Sequence, residues 1–346
     1  METRQCGAAD LRLSVLGLGC WAFGGGDYWG AQDQSDVDSV VHRAYELGIN
    51  YFDTAEAYND GRSEESLGKA IKGLPREKLI IGTKLSPSNC EPKTLVEHCE
   101  ASLKRLGIDA VDLYMVHWPI NPRSVEHYTK AKILPTVEGA FTALGKLRAQ
   151  GKIRHIGVSN FGVPVLTESK SFGVPIVINE LPYSLLTRAI ELSILPHCQA
   201  NGIGVLGYMS LLQGIISDKF ATLANIPAVR KRTRHFDSRT NEQARHRENG
   251  FERETDEALH AIRDIAAKAK MRVTDIALAW AASKSGITSS LVGARNIAQL
   301  EENIQAVEKP LSADVIDELD CATAPLMDAM GPAFDYYENT ADDRTV

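Results

Sequence analysis

Two hydrophobic patterns alternate along this chain. Short, nearly continuous apolar runs begin near Leu13, Asn50, Leu79, Val111, Ile153, Ile176, Ile203 and Ser289. Between them lie longer stretches in which apolar residues recur every three or four positions. The first pattern reads as strands covered on both faces, the second as helices with one buried face. The spacing predicts helices over 36–47, from 63 to a stop at Gly73, over 92–106 and over 136–150. A short helix is expected around Leu166, and further ones over 189–200, 255–270, 274–283 and 297–307. Val37, Val40, Val41, Ala44 and Leu47 define the buried face of the first helix, and Gly48, Gly107 and Gly151 act as stops.

Eight such strand–helix units predict a closed (β/α)8 TIM barrel, with an open doubly wound sheet as the runner-up. No repeat of fixed period and no linker divides the chain. Residues 1–346 read as one domain, with a barrel core over 13–307 and a C-terminal extension over 308–346. An extra helix is expected over 312–321. Two connections, 120–135 and 211–253, are longer than mere links. Both follow strand C-termini, the face where barrels carry their active sites.

The totals change this picture little. The chain has 346 residues, 44% of them hydrophobic, and a formal net charge of -7, which does not support nucleic-acid binding. No apolar run approaches the length of a membrane span, and the N-terminus lacks a secretory apolar segment. Cys6, Cys20, Cys90, Cys99, Cys198 and Cys321 are scattered without a C-x-x-C pair. They read as reduced thiols of a cytoplasmic protein, with no metal site. Gly17-Leu18-Gly19 suggests a dinucleotide fingerprint, but Phe23 and three glycines follow where a helix should open. A Rossmann site is therefore rejected.

Chemistry gathers at consecutive strand ends. The second strand ends at Asp53, the third at Lys84 and the fourth at His117, with Tyr58 in the loop just beyond Asp53. In a barrel these positions share one mouth. A tyrosine titrates near ~10, so it needs help to act at neutral pH. Lys84 can lower that value, Asp53 can keep Lys84 charged, and His117 can orient a carbonyl oxygen or share the proton. Such a set suits carbonyl reduction.

The chain here resembles the aldo-keto reductases, from Leu16-Gly17-Leu18-Gly19 to about Val307. The resemblance rests on Asn50-Tyr51-Phe52-Asp53-Thr54-Ala55 with Tyr58, on Gly68-Lys69-Ala70-Ile71, and on Thr83-Lys84. It continues through Val111-Asp112-Leu113-Tyr114, His117-Trp118-Pro119 and Gly151-Lys152-Ile153-Arg154-His155-Ile156-Gly157-Val158-Ser159-Asn160-Phe161. It implies a catalytic tetrad of Asp53, Tyr58, Lys84 and His117, with Tyr58 as proton donor. It also implies a nicotinamide cofactor lying extended across the mouth.

Carried over by position, Ser159 and Asn160 match the pair that holds the nicotinamide carboxamide. The third member of that group is usually glutamine; here it is Glu180, which when ionised accepts hydrogen bonds but cannot donate one. Tyr208 matches the aromatic that stacks on the ring, and Trp21 is assigned to both cofactor and substrate. Met209-Ser210 stand where Ser-Pro is usual, ahead of the pyrophosphate positions Gln213 and Gly214. Gly293, Arg295, Gln299, Glu302 and Asn303 match the adenosine segment. Arg295, beside a helix N-terminus, suits a ribose 2'-phosphate, so NADPH is expected with NADH as the alternative.

For substrate, Trp21, Tyr28, Trp29 and Trp118 suggest an aromatic-walled pocket. Arg123, His127, Tyr128 and Lys130 could read the hydroxyls of a sugar-like carbonyl. The leading expectation is an NAD(P)H-dependent reductase of aldehydes or ketones. The alternatives are a dehydrogenase of sugars or polyols using the same site, and a cofactor-binding regulatory subunit with little turnover.

Overall fold

A computed structural model describes residues 1–129 and 134–346. Eight parallel strands close a barrel: β3 (Leu16–Gly19), β4 (Tyr51–Asp53), β5 (Ile80–Leu85), β6 (Val111–Val116), β7 (Ile153–Ser159), β8 (Ile176–Pro182), β9 (Gly204–Tyr208) and β10 (Ile287–Val292). Each pairs with its neighbours in chain order, and β10 returns to β3. The open sheet is thereby excluded. Every residue of β6 is buried, as expected of a strand lying between barrel interior and helices.

The helices are α1 (Gln34–Glu46), α2 (Arg62–Ala70), α3 (Pro92–Leu106), α4 (Pro122–Tyr128), α5 (Val137–Ala149), α6 (Val163–Ser171), α7 (Ile194–Ala200), α8 (Glu252–Lys268), α9 (Val273–Ser283), α10 (Ile297–Glu308) and α11 (Ala313–Met330). Their bounds follow local chemistry. Pro92 opens α3 at a position where the missing N–H costs nothing, the Glu91 carboxylate caps Lys93 and Thr94, and Gly107 closes it with a φ of 66°.

Several expectations need correction. The run over 13–18 is divided between two sheets. Its first part forms β2 (Arg12–Ser14), antiparallel to β1 (Thr3–Gln5), while its second part enters the barrel as β3. Ser14 marks the division, its hydroxyl donating to the Leu16 carbonyl. The helix over 189–200 is broken into a 3-10 turn, Ala189–Leu192, and α7, because the Pro196 ring conflicts with the Leu192 carbonyl of a continuous helix. The extra helix does not stop at 321. It runs through Pro325 to Met330, where burial of Leu319, Thr323, Leu326 and Met330 outweighs one lost hydrogen bond. The connection over 120–135 holds α4, and Lys130 lies outside the described residues.

The β1–β2 hairpin lies across the N-terminal end of the barrel. Ala8 N donates to the Gly202 carbonyl and Ser14 N to the Asn50 side chain, at residues that just precede β9 and β4. Leu13 enters an interior cluster with Tyr51, Leu113, Met115, Ile178, Leu206 and Leu291. Gly82 of β5 is required there, because any Cβ would collide with the Tyr51 ring and hydroxyl. The opposite end stays polar. Among the described residues no helix is long and apolar enough to cross a membrane, and no cluster of His, Cys, Asp and Glu is placed to hold a metal.

Candidate active site

Register brings the strand-end residues together. Asp53 pairs with Gly82, two residues before Lys84, and Lys84 pairs with Met115, two before His117. Side chains two apart share a face, so carboxylate, ammonium and imidazole all reach the same mouth. Lys84 is 0% exposed, and its Nζ donates to Asp53 Oδ2 at 2.6 Å, to the Thr54 carbonyl at 3.0 Å and to the Tyr58 hydroxyl at 3.4 Å. Tyr51 donates to the other Asp53 oxygen at 3.0 Å. The His117 ring meets Tyr58 edge-on with centroids 5.6 Å apart, and its buried Nδ1 has no partner among the described residues.

The electrostatics follow from burial. Burial works against the Lys84 charge, but Asp53, Glu180 and Tyr58 more than offset it and hold the ammonium above the ordinary lysine value. Burial, with help from Lys84 and Arg344, holds His117 well below the usual histidine range, so the imidazole is neutral. Tyr58 departs from the expectation. Burial raises its pKa, Lys84 only partly opposes this, and Asp53 and Glu180 add to the rise. The phenol therefore keeps its proton.

The carboxamide positions form a ledge beside this cluster. Ser159 on β7 pairs in register with Glu180 on β8, and its hydroxyl donates to the Glu180 carbonyl. Asn160, in the left-handed region with a φ of 64°, donates through Nδ2 to Ser159 Oγ and to the His117 carbonyl. Its Oδ1 accepts from the Tyr208 hydroxyl at 2.7 Å. Glu180 is buried, 3.4 Å from Lys84 Nζ, and its Oε2 has no hydrogen-bond partner among the described residues.

Beyond Tyr208, Met209, Leu212, Gln213 and Gly214 all take positive φ. The turn is closed on itself, Leu212 N donating to the Met209 carbonyl, Gly214 N to the Leu211 carbonyl and Ile215 N to the Leu212 carbonyl, and left-handed backbone of this kind is a local strain of the sort that clusters at functional sites. The Gln213 carbonyl accepts from Arg230, and its side chain accepts from Tyr28, which stacks on Trp21 at 5.0 Å. Trp29 meets Trp21 edge-on at 5.2 Å, and Trp21 lies 6.1 Å from Tyr58. The polar atoms left without partners among the described residues fit the amide end of an extended group.

The adenosine segment differs from expectation at one point. Arg295 is not a free guanidinium: it donates to Gln32 Oε1 at 2.7 Å, to the Trp29 carbonyl at 2.5 Å and to the Ala31 carbonyl. Gln299 accepts from Arg295 N, Glu302 pairs with Arg272, and Asn303 donates to the Gly293 carbonyl. The basic loop is likewise engaged. Arg239, Arg245 and Arg253 pair with Asp237, Glu338 and Glu254, and Arg232 lies over the rings of Tyr28 and Tyr337.

The C-terminal tail was not legible as part of the mouth. Arg344 forms a buried pair with Asp335 at 2.7 Å and stacks 3.7 Å above Trp118, so Trp118 is covered rather than open to a pocket. Arg123 holds the Asp343 carbonyl, and His127 meets Arg245 and the ring of its neighbour Tyr128. No spacing in the sequence links residues 335 and 344 to the fourth strand.

Comparison with known proteins agrees with this geometry. The model of the aldo/keto reductase family matches residues 15–324. An NADH-specific methylglyoxal reductase of Escherichia coli is 32% identical over 90% of this chain and 95% of its own length. Aldo-keto reductase YhdN of Bacillus subtilis is 31% identical over 96% of this chain and 97% of its own. The solved structure of a glycerol dehydrogenase from Gluconobacter oxydans superposes with a TM-score of 0.75 at 27% identity, covering 94% of this chain and 96% of that one. This barrel, an oxidoreductase by these relationships, belongs to the aldo/keto reductase family.

Proposed function

We propose that the chain reduces an aldehyde or ketone to an alcohol with a nicotinamide cofactor, Tyr58 delivering the proton. A bound NAD(P)H supplies the hydride to the carbonyl carbon. The chain's own residues manage the oxygen. The observation that carries this reading is the fully buried Lys84 ammonium, between Asp53 at 2.6 Å and the Tyr58 hydroxyl at 3.4 Å. Tyr58 is protonated at rest; when it donates, negative charge develops beside an ammonium that Asp53 keeps aimed and charged. Neutral His117, its ring edge-on to Tyr58, would orient the carbonyl oxygen through whichever ring nitrogen carries the proton.

Ser159, Asn160 and Glu180 would hold the carboxamide, Tyr208 the ring, and the run from Met209 to Gly214 the pyrophosphate. For the choice of cofactor, the engaged Arg295 guanidinium weighs against a 2'-phosphate contact, and one relative is NADH-specific by name. NADH is therefore the favoured donor here, in place of the NADPH expected from sequence, and NADPH is the alternative. Likeness to a glycerol dehydrogenase supports a second reading in which the same site runs mainly toward alcohol oxidation. The scattered free cysteines support a reducing, cytoplasmic setting.

The test is a panel of methylglyoxal, aromatic aldehydes, sugars and glycerol, with initial rates in both directions and both cofactors. Turnover of at least one carbonyl, faster with NADH, is expected. Cofactor binding without turnover of any compound would overturn the reading and favour a regulatory subunit.

A further inference from the structure

We propose that Glu180 holds the cofactor as a neutral carboxylic acid and that its deprotonation weakens binding. The inference rests on the nicotinamide site proposed above and adds a pH control that glutamine at this position cannot provide.

Donor counting comes first. An ammonium has three N–H donors: two of those of Lys84 go to Asp53 Oδ2 and the Thr54 carbonyl, and the third, with the Tyr58 hydroxyl and Glu180 Oε2 both at 3.4 Å, has hydrogen-bond geometry toward Tyr58. None remains for Glu180 Oε2, which lies 3.4 Å away and has no partner among the described residues. An ionised Glu180 would therefore keep Oε2 as a buried anionic oxygen without a hydrogen bond among the described residues, a costly state.

Charge counting agrees. The titratable groups around Glu180 are Asp53 and Tyr51 of β4, Lys84 of β5, Tyr208 of β9 and, from the loop after β4, Tyr58. Burial keeps the three tyrosines protonated, and Asp53 neutralises Lys84. A second carboxylate leaves the enclosed cluster one charge negative; a carboxylic acid leaves it neutral. Burial and Asp53 accordingly push the Glu180 carboxyl up to about 8, against the pull of Lys84.

The ledge gives the proton its use. Glu180 shares register with Ser159, and its carbonyl accepts from both Asn160 N and Ser159 Oγ. The neutral acid offers one O–H donor and one carbonyl acceptor, the same pair that a glutamine offers to a carboxamide. When that proton leaves for solvent, the donor is lost and charge is added beside Asp53.

The experiment measures dissociation constants of NADH and NADPH from the full chain by fluorescence, from about pH 6.5 to about pH 9.5. Wild type is expected to weaken about tenfold across that range, the equivalent of one hydrogen bond. Glu180→Gln is expected to bind as tightly as wild type at the acid end and to stay flat. Glu180→Ala should bind weakly and also stay flat. An infrared difference between wild type and Glu180→Gln near pH 6.5 should contain a carboxylic-acid carbonyl band. A flat wild-type profile, a Gln variant that keeps the wild-type profile, or absence of that band overturns the assignment while the proposed activity stands. Failure of both cofactors to bind at any pH would overturn the two together.

Discussion

The two ends of the barrel interior are made of opposite materials. At the N-terminal end Cys6, Leu11, Leu13, Leu113, Met115, Ile178, Leu206 and Leu291 pack around the Tyr51 ring with no charge among them. At the C-terminal end Asp53, Lys84 and Glu180 are buried together, and His117 and Glu180 keep polar atoms without partners among the described residues. Tyr51 belongs to both, its ring in the apolar plug and its hydroxyl on Asp53. The plug stabilises the fold by removing apolar surface from water. The mouth holds orphaned polar atoms and left-handed backbone, which cost stability and persist because the rest of the barrel over-determines them.

This division predicts that changes at one end leave the other's property intact. The largest effect is expected for Tyr58→Phe, which should lower turnover by about 10²- to 10⁴-fold in steady-state assays. Cofactor affinity and thermal midpoint should hardly move; a large fall in the midpoint would show that the mouth also carries the fold. Next, Leu13→Ala should cost about 2–5 kcal/mol in denaturant unfolding. Turnover per folded molecule should survive, and its loss in a folded variant would mean that the plug shapes the site.

A smaller effect concerns pH. Because the Glu180 carboxyl is raised, the folded protein keeps a proton that the unfolded chain releases. Stability from this group therefore falls as pH climbs from the ordinary carboxylate range toward about 8, then levels off. Glu180→Gln should remove that decline, so its gain in thermal midpoint should be larger at pH 8 than at pH 5. Equal gains at both would place the proton elsewhere. The smallest difference is expected at the rim. Arg295→Ala frees the loop at Trp29, Ala31 and Gln32 and should weaken NADH and NADPH by similar, few-fold factors. A selective loss of NADPH in binding titrations would return Arg295 to a phosphate role.

Much of the barrel could be read before folding was considered. Pro92, Gly107 and the spacing between them bound α3 correctly, because caps and stops act within a few residues. The strand-end positions of Asp53, Lys84 and His117 were legible for a similar reason: each closes a local apolar run, and the eightfold alternation places such ends at one mouth. Signals failed where a choice depended on distant partners. The run over 13–18 looks uniform, yet β1 claims one part and β4 and β10 the other. Pro325 would end an isolated helix, but packing against α8 carries α11 past it.

Hydrophobic period, caps and turn residues, all of them local interactions, set the order and type of the elements and the face on which the chemistry lies. Which charges are occupied is a different matter, because it depends on distances of a few ångströms between groups far apart in the chain and on their removal from water. Arg295 is bound to the loop over 29–32, Arg344 to Asp335 above Trp118, and Lys84 to Asp53, Thr54 and Tyr58. Glu180 is left with no donor from Lys84, and that remainder appears only once the barrel is closed.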